Sequence, residues 1–480
     1  MQNNFKHSNH IQYPSQRGLI VFSISVGLAA VISLVLGSLG LVLINLFIAV
    51  ILYLSLSFKH PQLGIWMSLI LSFISAGLAR YISAPWGLTT DILLTLTWII
   101  ILLKKEVDWN RLKSPFFILS LLWFCYLFLE MFNPNANSFE AWFYAMRGIG
   151  FYQLLSVGIV LLLLESEVDV RRFINIIIII SLIGTLWGFK QQFGIIDAAE
   201  NHWLYAENHH EEHVLHGVLR VFSFYSDAGQ FGASQAMISL LCVVLFLGPG
   251  TRKEKSFYLI SAVITFLGFA ISGTRGALAV PLFGGIIYLL LKKNFSLLIS
   301  GFSGIIIVFI LLKYTFLFQG VEQVRRMRTA LDPQNKSLQV RHDNQKIFGR
   351  YLANKPFGAG VGTAGYWGHR FNPTSLMANT ATDSWYVKIW AETGIVGICL
   401  HLGILGYFLG YGRGLINTIS DPTLSNQAIA LYASIGGVLF SSYANQVFGQ
   451  MPTGMIMNMA IPFIEILKRV DTKNKTIASC

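Results

Sequence analysis

The chain has 480 residues, of which 54% are hydrophobic and only 12% are charged. Because about a quarter of the residues in a soluble domain are charged, this composition excludes a soluble globular protein. The formal net charge is +12, and the four cysteines form no CxxC motif, which argues against a disulfide framework.

Apolar runs recur along the whole chain. A helix needs roughly 20 mainly apolar residues to cross a bilayer, and about fourteen runs have this character. The sequence therefore predicts an all-α integral membrane protein with about 12–14 transmembrane helices. The predicted spans are 19–36, 40–57, 62–79, 88–103, 115–131, 142–164, 173–189, 228–247, 257–272, 276–291, 295–318, 384–411, 427–448 and 452–467.

Basic residues set the predicted orientation. With an even number of spans both termini share one side, and that side carries more than half of the 35 lysines and arginines, nearly all in short loops or tails. By the positive-inside rule this side is cytoplasmic. Two long loops, near 190–227 and 319–383, then lie on the outer side. The polar N-terminal segment and the first apolar run are expected to form a retained signal anchor.

The second outer loop is strongly basic, with nine lysines and arginines between 319 and 380 against three acidic residues. This charge is either a solvated surface or a means of attracting phosphate-bearing lipid or anionic glycan. A helix over 337–354 would place Arg341 inside its apolar face and leave Lys346 and Arg350 outside it. A buried arginine needs an anionic partner, which is either a structural carboxylate or substrate phosphate. That apolar face would comprise Val340, Ile347, Phe348, Tyr351 and Leu352.

A glycine-rich stretch follows at 354–368. Gly360, Gly362 and Gly365 match GxGxxG, but no strand precedes them and no βαβ unit surrounds them, so a dinucleotide site is rejected. The stretch either presents backbone N–H groups to a phosphate or returns the loop tightly toward the membrane.

Charged residues stand at several predicted span ends. Asp383 is either an N-cap that accepts orphan N–H groups or a general base at the mouth of a membrane cavity. Arg220 and Asp227 flank the start of one span, and Arg275 lies in a tight turn between two others. A charge at the centre of a span costs about 2.5–3.5 kcal/mol on insertion scales. We therefore interpret Arg220 and Arg275 as residues of a cavity.

Two further groups of charges are candidates for function. Arg147 lies in the sixth span near its outer end, with Glu130 as its expected partner. The segment 207–216 has four histidines and three glutamates. We interpret it as a solvated loop tip, with a zinc site as the alternative.

The order of these motifs resembles a known family. Arg220 and Gly232 at a span start are followed by Ser-Gly-Thr-Arg-Gly between two spans and then by the long outer loop. That loop ends in Asn-Lys-Pro-Phe-Gly-Ala-Gly-Val-Gly, a Thr-Asp-Ser step and a span that reads Ala-Glu-Thr-Gly-Ile-Val-Gly. Over roughly 215–400 the pattern resembles the O-antigen ligase and O-antigen polymerase superfamily of bacterial inner membranes.

The resemblance implies a GT-C-like helical fold and transfer of glycan from an undecaprenyl pyrophosphate carrier. Arg220 and Arg275 match arginines that grip the pyrophosphate. Ligases usually carry a histidine followed by Asn where Asp383 stands, so this chain is expected to be a polymerase of O-antigen or exopolysaccharide repeats. The catalytic candidates are Asp383, Arg220 and Arg275. The substrate-binding candidates are Arg341, Arg147, Asp227 and His369, and His342, His369 and Asp227 are alternative bases.

Other functions and the expected partners follow from the same residues. A ligase joining finished glycan to a lipid or protein acceptor and a transporter of an anionic solute are the alternatives, although no internal repeat of the transporter type is visible. The expected partners are the lipid-linked oligosaccharide, membrane lipid and a chain-length regulator protein, without nucleic acid. No cofactor or metal is expected, since arginines can supply the positive charge.

The predicted organisation has three parts. Residues 1–215 form N-terminal transmembrane helices and the first outer loop. Residues 216–411 form the core that resembles the ligase and polymerase superfamily, and 412–480 form C-terminal helices and a cytoplasmic tail.

Overall fold

The computed structural model describes residues 50–136, 138–215, 217–292, 322–329 and 336–479, together with single positions at 48 and between 299 and 320. The chain divides into two compact units, Met1–Leu63 and Gly64–Cys480. The predicted span 19–36, most of 295–318 and the expected signal anchor lie outside the described residues.

The described chain is a succession of helices with one small hairpin. The α-helices are α1 (Val50–Lys59), α2 (Gln62–Tyr81), α3 (Trp86–Leu103), α4 (Pro115–Leu129), α5 (Phe139–Met146), α6 (Tyr152–Leu163), α7 (Glu167–Gln192), α8 (Ala198–Tyr205), α9 (His210–His213), α10 (Ala228–Phe246), α11 (Arg252–Ser272), α12 (Ala279–Lys292), α13 (Glu322–Thr329), α14 (Lys336–Leu352), α15 (Gly365–Phe371), α16 (Leu376–Asn379), α17 (Trp385–Thr418), α18 (Pro422–Ser441) and α19 (Thr453–Ser479).

Shorter elements connect these helices. The 3₁₀ turns are Trp109–Lys113, Glu130–Phe132, Arg275–Leu278 and Val447–Gly449, and a π-helical turn covers Arg147–Phe151. Strands β1 (Val214–Leu215) and β2 (Val218–Leu219) pair antiparallel, with Val214 opposite Leu219.

The helices confirm the predicted fold class. Within the described residues, nine helices or continuous helical stretches are long and apolar enough to cross a membrane. Most predicted spans coincide with a helix to within a few residues. The span predicted at 427–448 is too long, because α18 already ends at Ser441 and polar residues that follow form a turn.

Local sequence signals explain where helices begin and end. Ser166 and Thr251 cap α7 and α11, and in each case a carboxylate three residues later accepts a hydrogen bond from the N–H group of the capping residue. Gly273 ends α11 with φ 58°, a conformation that glycine adopts without steric cost.

The centre of the second unit is formed by helices without a solvent face. Helices α10 and α18 are buried along almost their whole length, and α10 packs against α11, α12 and α18. Helix α19 packs against α6 and α18. A helix buried on all sides belongs to the interior of a bundle, so these helices fix the positions of the loops at their ends.

The glycine-rich stretch packs into a break in α17. The helix is interrupted at Gly394, which has φ 66° and ψ −168°. The N–H groups of Ala359 and Gly360 donate to the carbonyls of Ala391 and Glu392, at 3.0 and 2.9 Å. Because these donors are used within the protein, the stretch is a tight return of the loop and not a phosphate cradle.

Candidate functional site

A cavity of about 570 Å³ opens where the loops meet the ends of α10, α11 and α12. This volume lies within the 300–1,000 Å³ or so that is typical of ligand pockets. Its charged and polar lining residues are Glu212, His213, Arg220, Asp227, Thr274, Arg275, Arg326, Arg341, His342, Gln345, Thr382, Ser384, Tyr443 and Asn445.

Four arginines from four different segments line this cavity. Arg220 follows β2, Arg275 begins the turn between α11 and α12, Arg326 lies on α13 and Arg341 lies on α14. Glu212 and Asp227 are the acidic residues in the lining, so the cavity carries an excess of positive charge. The predicted cavity residues Arg220 and Arg275 are therefore brought together with the predicted substrate ligand Arg341.

The fold partly buries Arg220, the first of these arginines in the chain. Arg220 donates to the Glu212 carbonyl at 3.2 Å, and its Nε is buried without a hydrogen-bond partner in the described part of the chain. Burial lowers the pKa of Arg220, Asp227 opposes that shift and Arg275 adds to it. Since an arginine stays charged in proteins, this environment favours binding of an anion.

Asp227 has a structural role at the same place. It is the N-cap of α10, and its carboxylate accepts from the Gln230 N–H at 2.9 Å and from the Ser226 hydroxyl at 2.9 Å. A capping carboxylate orders the helix start. It also offsets part of the charge of Arg220.

Part of the cavity wall is apolar. It is lined by Leu278 of the turn before α12, by Ala279, Leu282 and Phe283 at the start of α12, and by Leu338 of α14. The cavity therefore combines a cationic part with a hydrocarbon surface. Such a lining can accept a molecule that has an anionic head and an apolar tail.

Asp383 lies between the cavity-lining residues Thr382 and Ser384 and does not cap a helix. The N-cap of α17 is Ser384, which makes no side-chain capping bond. Instead, the Trp385 N–H donates to the carbonyls of Ser442 and Asn445, at 3.0 and 3.3 Å. The N-cap alternative for Asp383 is therefore wrong.

The partner of Asp383 is the arginine of the loop helix. Arg341 Nε lies 3.6 Å from Asp383 Oδ2, and the two side chains are 34% and 40% exposed. Asp383 has φ 49°, in the left-handed region that aspartate tolerates better than most residues. Among the described residues, the anionic partner expected for Arg341 is thus a carboxylate from the loop's other end.

The helical face predicted around Arg341 is partly right. Phe348 and Leu352 are buried against α17, and Arg350 is exposed as expected. Val340 is 55% exposed, however, and Ile347 is 37% exposed. In the described part of the chain, Val340 and Ile347 are therefore not covered, whereas Phe348 and Leu352 pack against α17.

Two predicted substrate-binding residues lie outside the cavity lining. Arg147 pairs with Asp91 at 2.5 Å, and both side chains are largely buried. The expected partner Glu130 instead accepts from Asn133 at 2.7 Å. His369 is exposed on α15. The substrate-binding role of Arg147 and His369 stays a prediction.

The segment 207–216 is held by aromatic packing. His209 stacks on Trp203 with ring centroids 4.3 Å apart, and Arg80 lies 4.2 Å from the same ring. Among the described residues, which omit His216, no three potential metal ligands converge. Burial lowers the pKa of His213 to about 4, which keeps this cavity-lining imidazole neutral at physiological pH.

Several lining residues were not identified from the sequence. The Nη1 atom of Arg326 lies 3.3 Å from the position that a Cβ atom on Gly273 would occupy. Asn445 and Tyr443 come from the turn after α18, and the buried Asn445 Nδ2 has no hydrogen-bond partner in the described part of the chain. The available signals were the cluster of arginines at 325–328 and the polar residues inside the span predicted at 427–448.

These features define a multi-pass membrane protein whose helices and loops enclose a cationic cavity with one apolar wall. Residues 260–402 match the family model described as O-antigen ligase, a family of enzymes that act on glycans. The match includes Arg275, Arg341 and Asp383, and it confirms the resemblance to the O-antigen ligase and polymerase superfamily. No curated protein matches the chain.

Proposed function

We propose that this protein polymerises undecaprenyl-pyrophosphate-linked glycan repeat units, of an O-antigen or an exopolysaccharide. The reaction takes place at the outer face of the bacterial inner membrane, with both termini of the chain in the cytoplasm. The observation that carries the proposal is the meeting of Arg220, Arg275, Arg326 and Arg341 in one cavity with an apolar wall.

The chemistry of the donor fits both parts of the cavity. A pyrophosphate carries several negative charges, and arginine binds phosphate oxygens through a planar, permanently charged fork. The polyprenyl chain is hydrocarbon and can lie along Leu282 and Phe283 of α12 and Leu278 just before it. A free anionic sugar or inorganic anion has no hydrocarbon tail and would leave that apolar surface uncovered.

The reaction needs charge stabilisation and one proton acceptor. A hydroxyl oxygen of the acceptor glycan attacks the anomeric carbon of the donor, and the bond from that carbon to the pyrophosphate oxygen breaks. The bonding electrons leave with undecaprenyl pyrophosphate, whose developing charge the arginines stabilise. The hydroxyl proton passes to the carboxylate of Asp383 acting as general base.

A ligase is the second candidate function, because the matching family model is described as O-antigen ligase. A ligase would use the same donor and the same arginines but would take a different acceptor. We favour a polymerase because Thr382, Asp383 and Ser384 stand where the ligases of this superfamily usually carry a histidine followed by Asn. A chain-length regulator protein is then a further proposed partner.

The glycan profile of cells that lack this protein tests the proposal. A polymerase predicts that long chains disappear while single repeats are retained. Long chains that accumulate on the lipid carrier would mean a ligase. An unchanged profile would contradict both enzymes and would favour a transporter of an anionic solute.

A further inference from the structure

The ion pair between Arg341 and Asp383 joins the two groups that the proposed reaction uses for different tasks. Arg341 lines the cavity from α14 together with Arg275. Asp383 precedes α17, at the far end of the same loop. In the described structure Arg341, the proposed phosphate-binding residue, is therefore paired with Asp383, the proposed proton acceptor.

This pair is weak enough to be broken by a ligand. Its separation of 3.6 Å is longer than a hydrogen bond. Both side chains are about a third or more exposed, and pairs of this kind contribute only about 0–1 kcal/mol. A pyrophosphate offers Arg341 more negative charge and bidentate oxygens, so it competes well against a single carboxylate.

In the described part of the chain, no other side-chain contact holds Asp383 in place. The N–H group of Trp385 at the start of α17 donates to the carbonyls of Ser442 and Asn445, and the described carboxylate makes no other ion pair or side-chain hydrogen bond. Once Arg341 moves away, the carboxylate can therefore accept a proton from an acceptor hydroxyl.

We propose that the Arg341–Asp383 pair is a lock on the general base that the donor itself opens. The pyrophosphate takes Arg341 from Asp383, and the released carboxylate then accepts the proton of the acceptor hydroxyl. Asp383 thus loses its cationic partner, and becomes a better proton acceptor, when the donor is bound. This inference rests on the proposed function, and it assigns Arg341 to positioning of the base as well as to binding.

The lock makes a counterintuitive prediction for Asp383→Asn. This variant loses glycan transfer, yet it binds the donor's head group more tightly than the wild type because Arg341 no longer has a competitor. Release of Arg341 from an exposed ion pair of this kind should raise affinity by up to about fivefold. Asparagine is isosteric and tolerates the left-handed backbone at this position, so the fold is retained.

The measurement is titration of the full-length, detergent-purified protein with undecaprenyl pyrophosphate and with inorganic pyrophosphate. Arg341→Ala should weaken binding, and Asp383→Asn should bring no gain in the Arg341→Ala background. Asp343→Asn is the matched control, because it removes the same charge from α14 where Asp343 pairs with the exposed Lys346 at 2.9 Å. The control should bind like the wild type.

Three results would overturn the inference. Unchanged or weaker binding by Asp383→Asn contradicts a competition for Arg341. An equal gain in affinity with Asp343→Asn, or a gain that persists without Arg341, means a general charge effect. A wild-type protein that binds neither ligand contradicts the proposed function itself, whereas the first two results leave that function standing.

Discussion

Replacement of Gly394 by alanine should destabilise the fold more than the same replacement of Gly403, at an exposed position of α17. Gly394 has φ 66° and ψ −168°, a backbone conformation that is essentially restricted to glycine. A Cβ at this position would also stand under 3.0 Å from the carbonyl oxygen of Pro356 and the amide nitrogen of Gly358. Both are backbone atoms, so no side-chain rotation can relieve the clash.

The expected cost follows from these two terms. A residue held in a sparsely populated backbone region costs about 1–3 kcal/mol. The clash also displaces the glycine-rich stretch, which loses at least one backbone hydrogen bond, worth about 1 kcal/mol. Gly394→Ala should therefore destabilise the protein by about 2–4 kcal/mol. Gly403 on the same helix is the matched control, since a Cβ there meets no atom within 4 Å. Gly403→Ala should be neutral or stabilise by up to about 1 kcal/mol.

Thermal unfolding of the detergent-purified variants measures the difference. Gly394→Ala should unfold at a clearly lower temperature than wild type, and Gly403→Ala should not. Because the kinked segment holds the loop that carries Arg341, glycan transfer should fall with the stability. Wild-type stability of Gly394→Ala would refute the assignment of the glycine-rich stretch to backbone packing.

Three other predictions concern the cavity. Arg220→Lys and Arg275→Lys should each reduce polymer by about 10²-fold at normal protein level, because lysine keeps the charge and loses the planar fork; wild-type chain length on a gel would contradict this. Arg341→Ala should impair polymer formation more than Arg350→Ala, since Arg350 is exposed on the other side of α14, and equal effects would speak against the cavity. Burial lowers the pKa of His213 to about 4. The unfolded segment therefore binds a proton that the folded one does not, and stability falls as the pH drops from about 6.5 to about 4. Protease sensitivity of the first loop should rise near pH 5, and His213→Gln should remove most of that dependence.

Part of the candidate site could be predicted from single charged residues in the sequence. Arg220 and Arg275 have no acidic residue next to them in the sequence, and the cost of a charge at membrane depth predicts a cavity. The same argument applied equally to Arg147, which instead has Asp91 as its ion-pair partner. A local sequence pattern shows that a partner is needed, but it cannot show which distant residue supplies it.

The local sequence does not show which residues from distant loops line the cavity. Asn445 enters the cavity because α18 ends at Ser441, and the turn that follows packs against Gly276. Arg326 was one of several arginines in a basic run, and only its packing near Gly273 distinguishes it. The N-cap alternative for Asp383 is wrong for a related reason, since the carbonyls that accept from the first N–H group of α17 come from the turn at 442–445.

The most direct test of the central claim is transfer by the purified protein itself. The full-length protein is reconstituted in liposomes with the undecaprenyl-pyrophosphate-linked repeat unit as its only glycan, and the products are separated by size. The account predicts a ladder of longer lipid-linked chains with release of one undecaprenyl pyrophosphate per bond formed, and no ladder with Arg275→Lys. Repeat units that remain unjoined with active, correctly folded wild-type protein would contradict it.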